Sequence, residues 1–147
     1  MIAMSRRELG ILAAAATAAA ASSPAHAQIR SGPGAKYTIL LAKDLKGFPR
    51  QETRLTLMDV APGTPIPRHY HPAAQEIAFG IDGSLTLEVE NEGAKTIRAG
   101  EVLLIPAGIP HLPRADPSKP AKVLFIHSIT DNTKPFLLEL DGGDGPE

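Results

Sequence analysis

Cysteine is absent from this chain. Its absence removes disulfides, thiolate nucleophiles and every cysteine-based zinc or iron–sulfur site. Any metal site must therefore be built from nitrogen and oxygen donors. Tryptophan is absent too, and aromatic residues make up 4% of the chain, so stacking platforms for nucleic-acid bases have little material. Net charge is −1 with no prominent Lys/Arg run. Nucleic acid is thereby excluded as a partner, since phosphate binding needs a concentrated basic surface. Beyond residue 35 no segment carries a helical repeat of apolar residues, so long helices are not expected. Glycine and proline, in contrast, are plentiful at 13 and 14 residues. They favour many short segments joined by tight turns. A length of 147 residues suits one core and is too short for two ordinary domains.

The N-terminus reads as an export signal. Arg6-Arg7 is followed by the apolar stretch 9–21 and by Ala25-His26-Ala27. A positive start, a short apolar centre and a small-x-small ending have that form, with cleavage expected before Gln28. The apolar stretch is shorter than the roughly 20 residues a bilayer span needs, so no stable membrane span is expected after cleavage. Ser5-Arg6-Arg7-Glu8-Leu9 resembles the twin-arginine signal, which carries folded proteins to the periplasm. On this reading 1–27 is removed, 28–36 is a flexible lead-in, 37–140 is the folded domain, and the acidic Gly-rich 141–147 is a disordered tail.

The remainder reads as strands. Tyr37 to Ala42, Thr53 to Val60, Glu76 to Ile81, Leu85 to Val89, Thr96 to Arg98, Val102 to Ile105, Lys122 to Thr130 and Phe136 to Leu140 are β-branched or aliphatic runs bounded by breakers. Asp82-Gly83 is a hairpin signal. Leu85, Leu87 and Val89 alternate with polar residues, the period of a half-exposed strand. Other strands are apolar on both faces, as expected if one face meets a second sheet and the other lines a filled barrel. The pattern predicts an antiparallel sandwich or barrel.

Two stretches carry the chemistry. The first is Gly63-x5-His69-x-His71-x4-Glu76-x6-Gly83, and the second is Gly100-x5-Pro106-x-Gly108-x2-His111. Imidazole and carboxylate suit a divalent metal of borderline hardness. His69 and His71, alternate residues on a strand, point the same way. Glu76 is an odd step from His71 and needs the Pro72–Gln75 turn to reset its direction. The tight loop 106–110 can swing His111 inward. These stretches resemble the two sequence motifs of the cupin superfamily. The resemblance covers residues 37–130, with one departure: Ala115 stands where the family usually has an asparagine. It implies an all-β, single antiparallel jelly-roll β-barrel holding one metal ion through His69, His71, Glu76 and His111. Fe(II) or Mn(II) is favoured, with Ni(II) or Zn(II) as alternatives.

Other side chains were weighed. His127, in the last long apolar strand, is read as a core histidine bonded to backbone in preference to a base beside the metal, so that His127→Ala leaves metal occupancy intact. Arg54 is read as solvent-exposed in preference to a ligand for a substrate carboxylate. Met58, Phe79 and Phe125 are read as core. Gln75 is expected to face away from the site, and Arg68 and Arg114 to be solvated.

The resemblance implies a metal-dependent oxidoreductase of dioxygenase type, or an isomerase or decarboxylase. The substrate would be a small enolisable or carboxylate-bearing molecule, with Glu76 detaching to serve as base. The competing expectation is a non-catalytic exported cupin that binds a small molecule or metal. A homodimer is a further expectation by resemblance.

Overall fold

The computed structural model describes residues 33–140. Residues 1–27, the start of the lead-in and the tail 141–147 lie outside the described part. Ten strands follow in order: β1 (Ala35–Asp44), β2 (Glu52–Val60), β3 (His69–Tyr70), β4 (Ala74–Asp82), β5 (Ser84–Val89), β6 (Gly93–Arg98), β7 (Val102–Ile105), β8 (His111–Ala115), β9 (Ala121–Ile129) and β10 (Leu138–Glu139). They form two antiparallel five-stranded sheets, ordered β1-β2-β9-β4-β7 and β10-β3-β8-β5-β6. The predicted all-β class holds.

Three differences from the sequence reading have physical causes. β1 begins at Ala35, inside the expected lead-in, because Ala35 and Lys36 pair with Val60 and Asp59. The Asp82-Gly83 turn forms, with Gly83 at φ 66° and its N–H donating to Asp82 Oδ1 at 2.9 Å. It is not a hairpin, however: β4 pairs with β7 and β9, and β5 with β6 and β8. The turn carries the chain from one sheet to the other. A side chain on Gly83 would run into the Pro120 carbonyl, so the crossing needs glycine for space as well as for conformation. β8 was not expected as a strand. Pro113 lies within it, lacking the N–H a ladder uses. The strand survives because its neighbour β3 contributes a single pair, His69 with His111, while β5 pairs along its whole length.

Strict alternation of buried and half-exposed residues runs through β2 and most of β9. Inward side chains change character along each strand. At one end Met58, Val60, Ala78, Ala121, Val123 and Phe125 meet Leu85, Leu87, Val89 and Ile97 of the opposite sheet in an apolar core. At the other end the inward row is Arg54, His127 and Glu76, register neighbours on β2, β9 and β4. The apolar half buries enough surface to hold the sandwich closed. The polar half is where chemistry can be placed.

Candidate metal centre

Each sheet supplies part of one cluster. β3 carries His69, and His71 follows it immediately; β8 begins with His111; β4 of the facing sheet carries Glu76. All four are buried, at 1–3% exposure. One ligand atom from each lies within 4.8 Å of the others. The four residues singled out in the sequence therefore do meet.

The tautomers follow from backbone partners. His69 Nδ1 lies 2.8 Å from the Pro67 carbonyl, His71 Nδ1 2.8 Å from that of Phe136, and His111 Nδ1 3.0 Å from that of Ile109. A carbonyl can only accept, so each Nδ1 bears a proton and donates it. In the tautomer this fixes, Nε2 carries no proton and is left to serve as a ligand, the arrangement found in metal-binding imidazoles. His111 Nε2 and Glu76 Oε1 are buried without any hydrogen-bond partner, 3.6 Å apart. His71 Nε2 faces Glu76 Oε2 at 3.1 Å. Two electron-rich atoms at that distance repel unless a proton or cation sits against them. Unsatisfied buried groups cost on the order of 1–3 kcal/mol each. The cluster therefore fits a divalent cation, which would satisfy these atoms together. Nitrogen and oxygen donors without thiolate leave the identity of the metal open.

Electrostatics agree. Burial pushes the His69 imidazole down to about 4, with the neighbouring His111 adding to the effect. The ring is thus neutral, as a ligand must be. Burial would raise the Glu76 carboxyl, but the hydrogen bond from His127 Nε2–H and the close imidazoles around it outweigh it and hold the group well below its usual range. Glu76 is thus ionised.

Three expectations about other residues fail here. His127 is buried as expected, but its partner is the metal-site carboxylate and not the backbone: Nε2–H donates to Glu76 Oε2 at 2.9 Å. Its Nδ1 has no partner. Arg54 is 2% exposed, not solvated. Its Nε and Nη2 donate to Glu52 Oε1 at 3.1 and 2.8 Å, and its guanidinium lies 4.2 Å over the Phe136 ring. The sequence did carry the signal. Arg54 shares parity with Met58 and Val60, and His127 with Val123 and Phe125. Phe136, expected to open a last strand, lies in the loop before the short β10 and packs against His71 and His127. Phe79 is 39% exposed and not core, whereas Met58 and Phe125 are buried as expected. Gln75 is half-buried on the outward face. Arg68 pairs with Glu90 and Arg114 with Glu88 at the surface. Ala115, the departure from the second motif, ends β8 opposite Leu85 and packs on the core, away from the ligands.

A cavity adjoins the cluster, walled by Tyr37, Ile39, Met58, Phe125 and Phe136, with Arg54, Thr56, His69, Glu76 and His127 also reaching it. The space open to the centre of a water molecule is about 40 Å³, room for a few waters or a small ligand.

A family model described as "Cupin domain" matches residues 56–127. The matched stretch, just under half of the chain, is similar to a cupin domain. The cupin match runs from the pocket strand β2 to His127 and includes all four ligand candidates. Germin-like protein subfamily 2 member 2 of Arabidopsis thaliana is 32% identical over 102 residues, covering 67% of this chain and 47% of that protein. Germin-like protein 1 of Brassica napus is 31% identical over 120 residues, covering 74% and 56%. The chain thus spans about half the length of the plant proteins it matches. Among solved structures, a cupin-like protein from Thermotoga maritima superposes with a TM-score of 0.62 at 21% identity, over 79% of this chain and 84% of that one. An oxalate oxidase superposes at 0.58 with 23% identity, over 83% and 65%. Both share the fold of this chain. No helix among the described residues is long and apolar enough to cross a membrane.

Proposed function

We propose that this cupin is a metal-dependent enzyme of oxidoreductase or dioxygenase type that acts on a small enolisable or carboxylate-bearing substrate. One observation carries the reading: three Nδ1-anchored imidazoles and the orphaned Oε1 of Glu76 converge beside an enclosed cavity. His69, His71, His111 and Glu76 would hold one divalent ion, with Fe(II) or Mn(II) favoured on donor type. Bound there, the ion supplies Lewis acidity, lowering the pKa of a substrate oxygen or C–H group.

The chain's own residues supply the rest. Apolar walls exclude water, which strengthens every charge interaction inside. Arg54, already neutralised by Glu52, contributes an oriented cationic edge to the pocket more than a free charge. Glu76 is the proton acceptor in this reading. Were Oε1 to detach from the ion it would hold, a proton taken there would leave Oε2 still bonded to His127 Nε2–H. The contacts that lower its pKa make it a weak base at rest, so it suits only a substrate proton that is already acidified. The oxalate oxidase of similar fold has been solved with glycolate, described as a substrate analogue, which supports small oxygen-rich acids as the first class to test. Residues 1–27 as a removable export signal, 37–140 as the domain, and a periplasmic location remain part of the proposal on sequence pattern alone.

The test is metal analysis of the purified chain, followed by oxygen uptake and product detection with diketones, flavonols, hydroxy acids and dicarboxylates. Turnover that depends on the metal supports the enzyme. Metal-dependent ligand binding without turnover of any class would leave the non-catalytic binding protein in its place.

A further inference from the structure

The inward face of the first sheet changes from ionisable to neutral within one row. Strand registers set Arg54, His127 and Glu76 side by side on β2, β9 and β4. The next row is Ile39-Thr56-Phe125-Ala78, and the one after it Tyr37-Met58-Val123-Gly80. The cavity beside the ligand cluster spans all three rows, and Arg54 and Glu76 are the only charged side chains among the described residues that line it. The charge of Arg54 is matched within the protein by Glu52 at 2.8 Å, with both side chains buried. The imidazoles count as neutral from their hydrogen bonds alone. His69, His71 and His111 each carry one proton on Nδ1, toward a carbonyl. His127 carries its proton on Nε2, toward Glu76, and its Nδ1 has no partner. Glu76 is thus the one unmatched charge of the enclosure. A divalent ion on the four ligands would turn that single negative charge into a single positive one.

We propose that this pocket selects a small monoanion with an oxygen-bearing head and an apolar remainder, and discriminates against dicarboxylates. The inference rests on the metal-centre reading above and narrows its substrate class. A monoanion brings the loaded enclosure to neutrality. A second carboxylate would lie against Ile39, Met58 and Phe125 with no cation left to meet it, and a charge buried without a partner is strongly disfavoured. The hydroxyls of Tyr37 and Thr56 offer it a hydrogen bond and no charge. A methyl or methylene group in the same place loses contact with water and gains contact with the wall. Size narrows the class further. The space of about 40 Å³ open to water centres holds roughly three waters, which suits a ligand of about five to seven heavy atoms. The preference opposes that of the ion alone, since a divalent cation in water attracts two negative charges more strongly than one. Selectivity for the monoanion would therefore come from the protein wall.

Two matched pairs of ligands test this. Pyruvate and oxalate have equal numbers of heavy atoms and differ by a methyl group in place of an anionic oxygen. Acetylacetone, bound as its enolate, and malonate differ in the same way at both ends. Isothermal titration into the metal-loaded full chain gives each affinity, with the same ion in buffer as reference and metal content measured afterwards. Pyruvate and acetylacetone should bind at least about tenfold tighter than oxalate and malonate, reversing the order of the free ion. Glu52→Gln leaves Arg54 without that carboxylate and should shift both ratios toward the dianion by at least about tenfold. Ile39→Lys puts a cation on the same wall at a residue that is 43% exposed. It should shift the ratios in the same direction, and it stands in if Glu52→Gln does not fold. A dianion held as tightly as its partner, or ratios unmoved in a metal-loaded Ile39→Lys chain, overturns the proposal and leaves the metal centre standing. A chain that takes up no metal sinks the metal-centre reading and the proposal with it. Selective binding of the monoanions without turnover supports the proposal and removes the enzyme.

Discussion

The two sheets divide the work differently on each side. Inside, the second sheet and its continuation give His69, His71 and His111, each fixed by a backbone carbonyl within the same segment or the nearby loop. The first sheet gives Glu76, fixed by a side chain on the next strand, His127. Outside, the second sheet is mostly polar, with Leu112 and Ala94 beside Glu88, whereas the middle rows of the first sheet are apolar between polar borders. The imidazoles are oriented by main-chain carbonyls of Pro67, Phe136 and Ile109, in the loops beside the strands, and need no second side chain to orient them. The carboxylate is only as fixed as His127 and its surroundings allow. The first sheet is therefore the adjustable wall of the site.

The largest break in this comparison should come from the ligands themselves. His111→Ala and Glu76→Gln should each lower metal affinity by at least about 1,000-fold, more than the 10–100-fold usual for an outer partner. Isothermal titration and metal analysis read this out, and full occupancy in both variants would reject the shared centre. Next comes the buried ion pair of the first sheet. Glu52→Ala leaves the Arg54 guanidinium buried without that carboxylate, and should cost about 3–5 kcal/mol in denaturant unfolding. Arg114→Ala, which breaks an exposed pair on the second sheet, should cost less than about 1 kcal/mol. Similar costs for the two would dissolve the contrast.

Acidification tests the imidazole side. His69 is depressed from 6.5 to about 4 in the fold. Between those values the unfolded chain takes up a proton that the folded chain refuses, so stability rises with pH there. The metal-free chain should therefore lose roughly 2–3 kcal/mol as pH falls from about 6.5 to about 4. Flat stability across that window would mean the ring is already charged. The smallest effect belongs to the carboxylate's support. His127→Ala should weaken metal binding by about 10–100-fold while leaving a measurable site. This replaces the expectation of intact occupancy, which rested on a backbone partner His127 does not have. Unchanged affinity would show that Glu76 is held by the cluster without help.

Much of this was legible beforehand, and the reason is local. His69, His71 and Glu76 sit within one turn-bounded stretch, and Pro and Gly at 106 and 108 mark the loop before His111. The strands of the first sheet were found because their apolar runs are long. β8 escaped because Pro113 reads as a breaker, and its pairing depends on β5, distant in sequence. Arg54 and His127 were assigned by residue-type habit, although their parity with Met58 and Phe125 pointed inward. Doubly apolar strands such as β2 and β9 implied cover on both faces. The fold supplies it on one.

Residue order alone determined the class of fold, the four candidate ligands and the absence of thiol chemistry, because alternation, breakers and donor types are properties of short segments. Tertiary pairing alone decided that Arg54, His127 and Glu76 share a row and that His127 steadies a carboxylate. It also decided that an apolar strip is left facing out. Each of these depends on which strands lie side by side, and register across distant strands is set by the packing of the whole sandwich and by no single stretch of it.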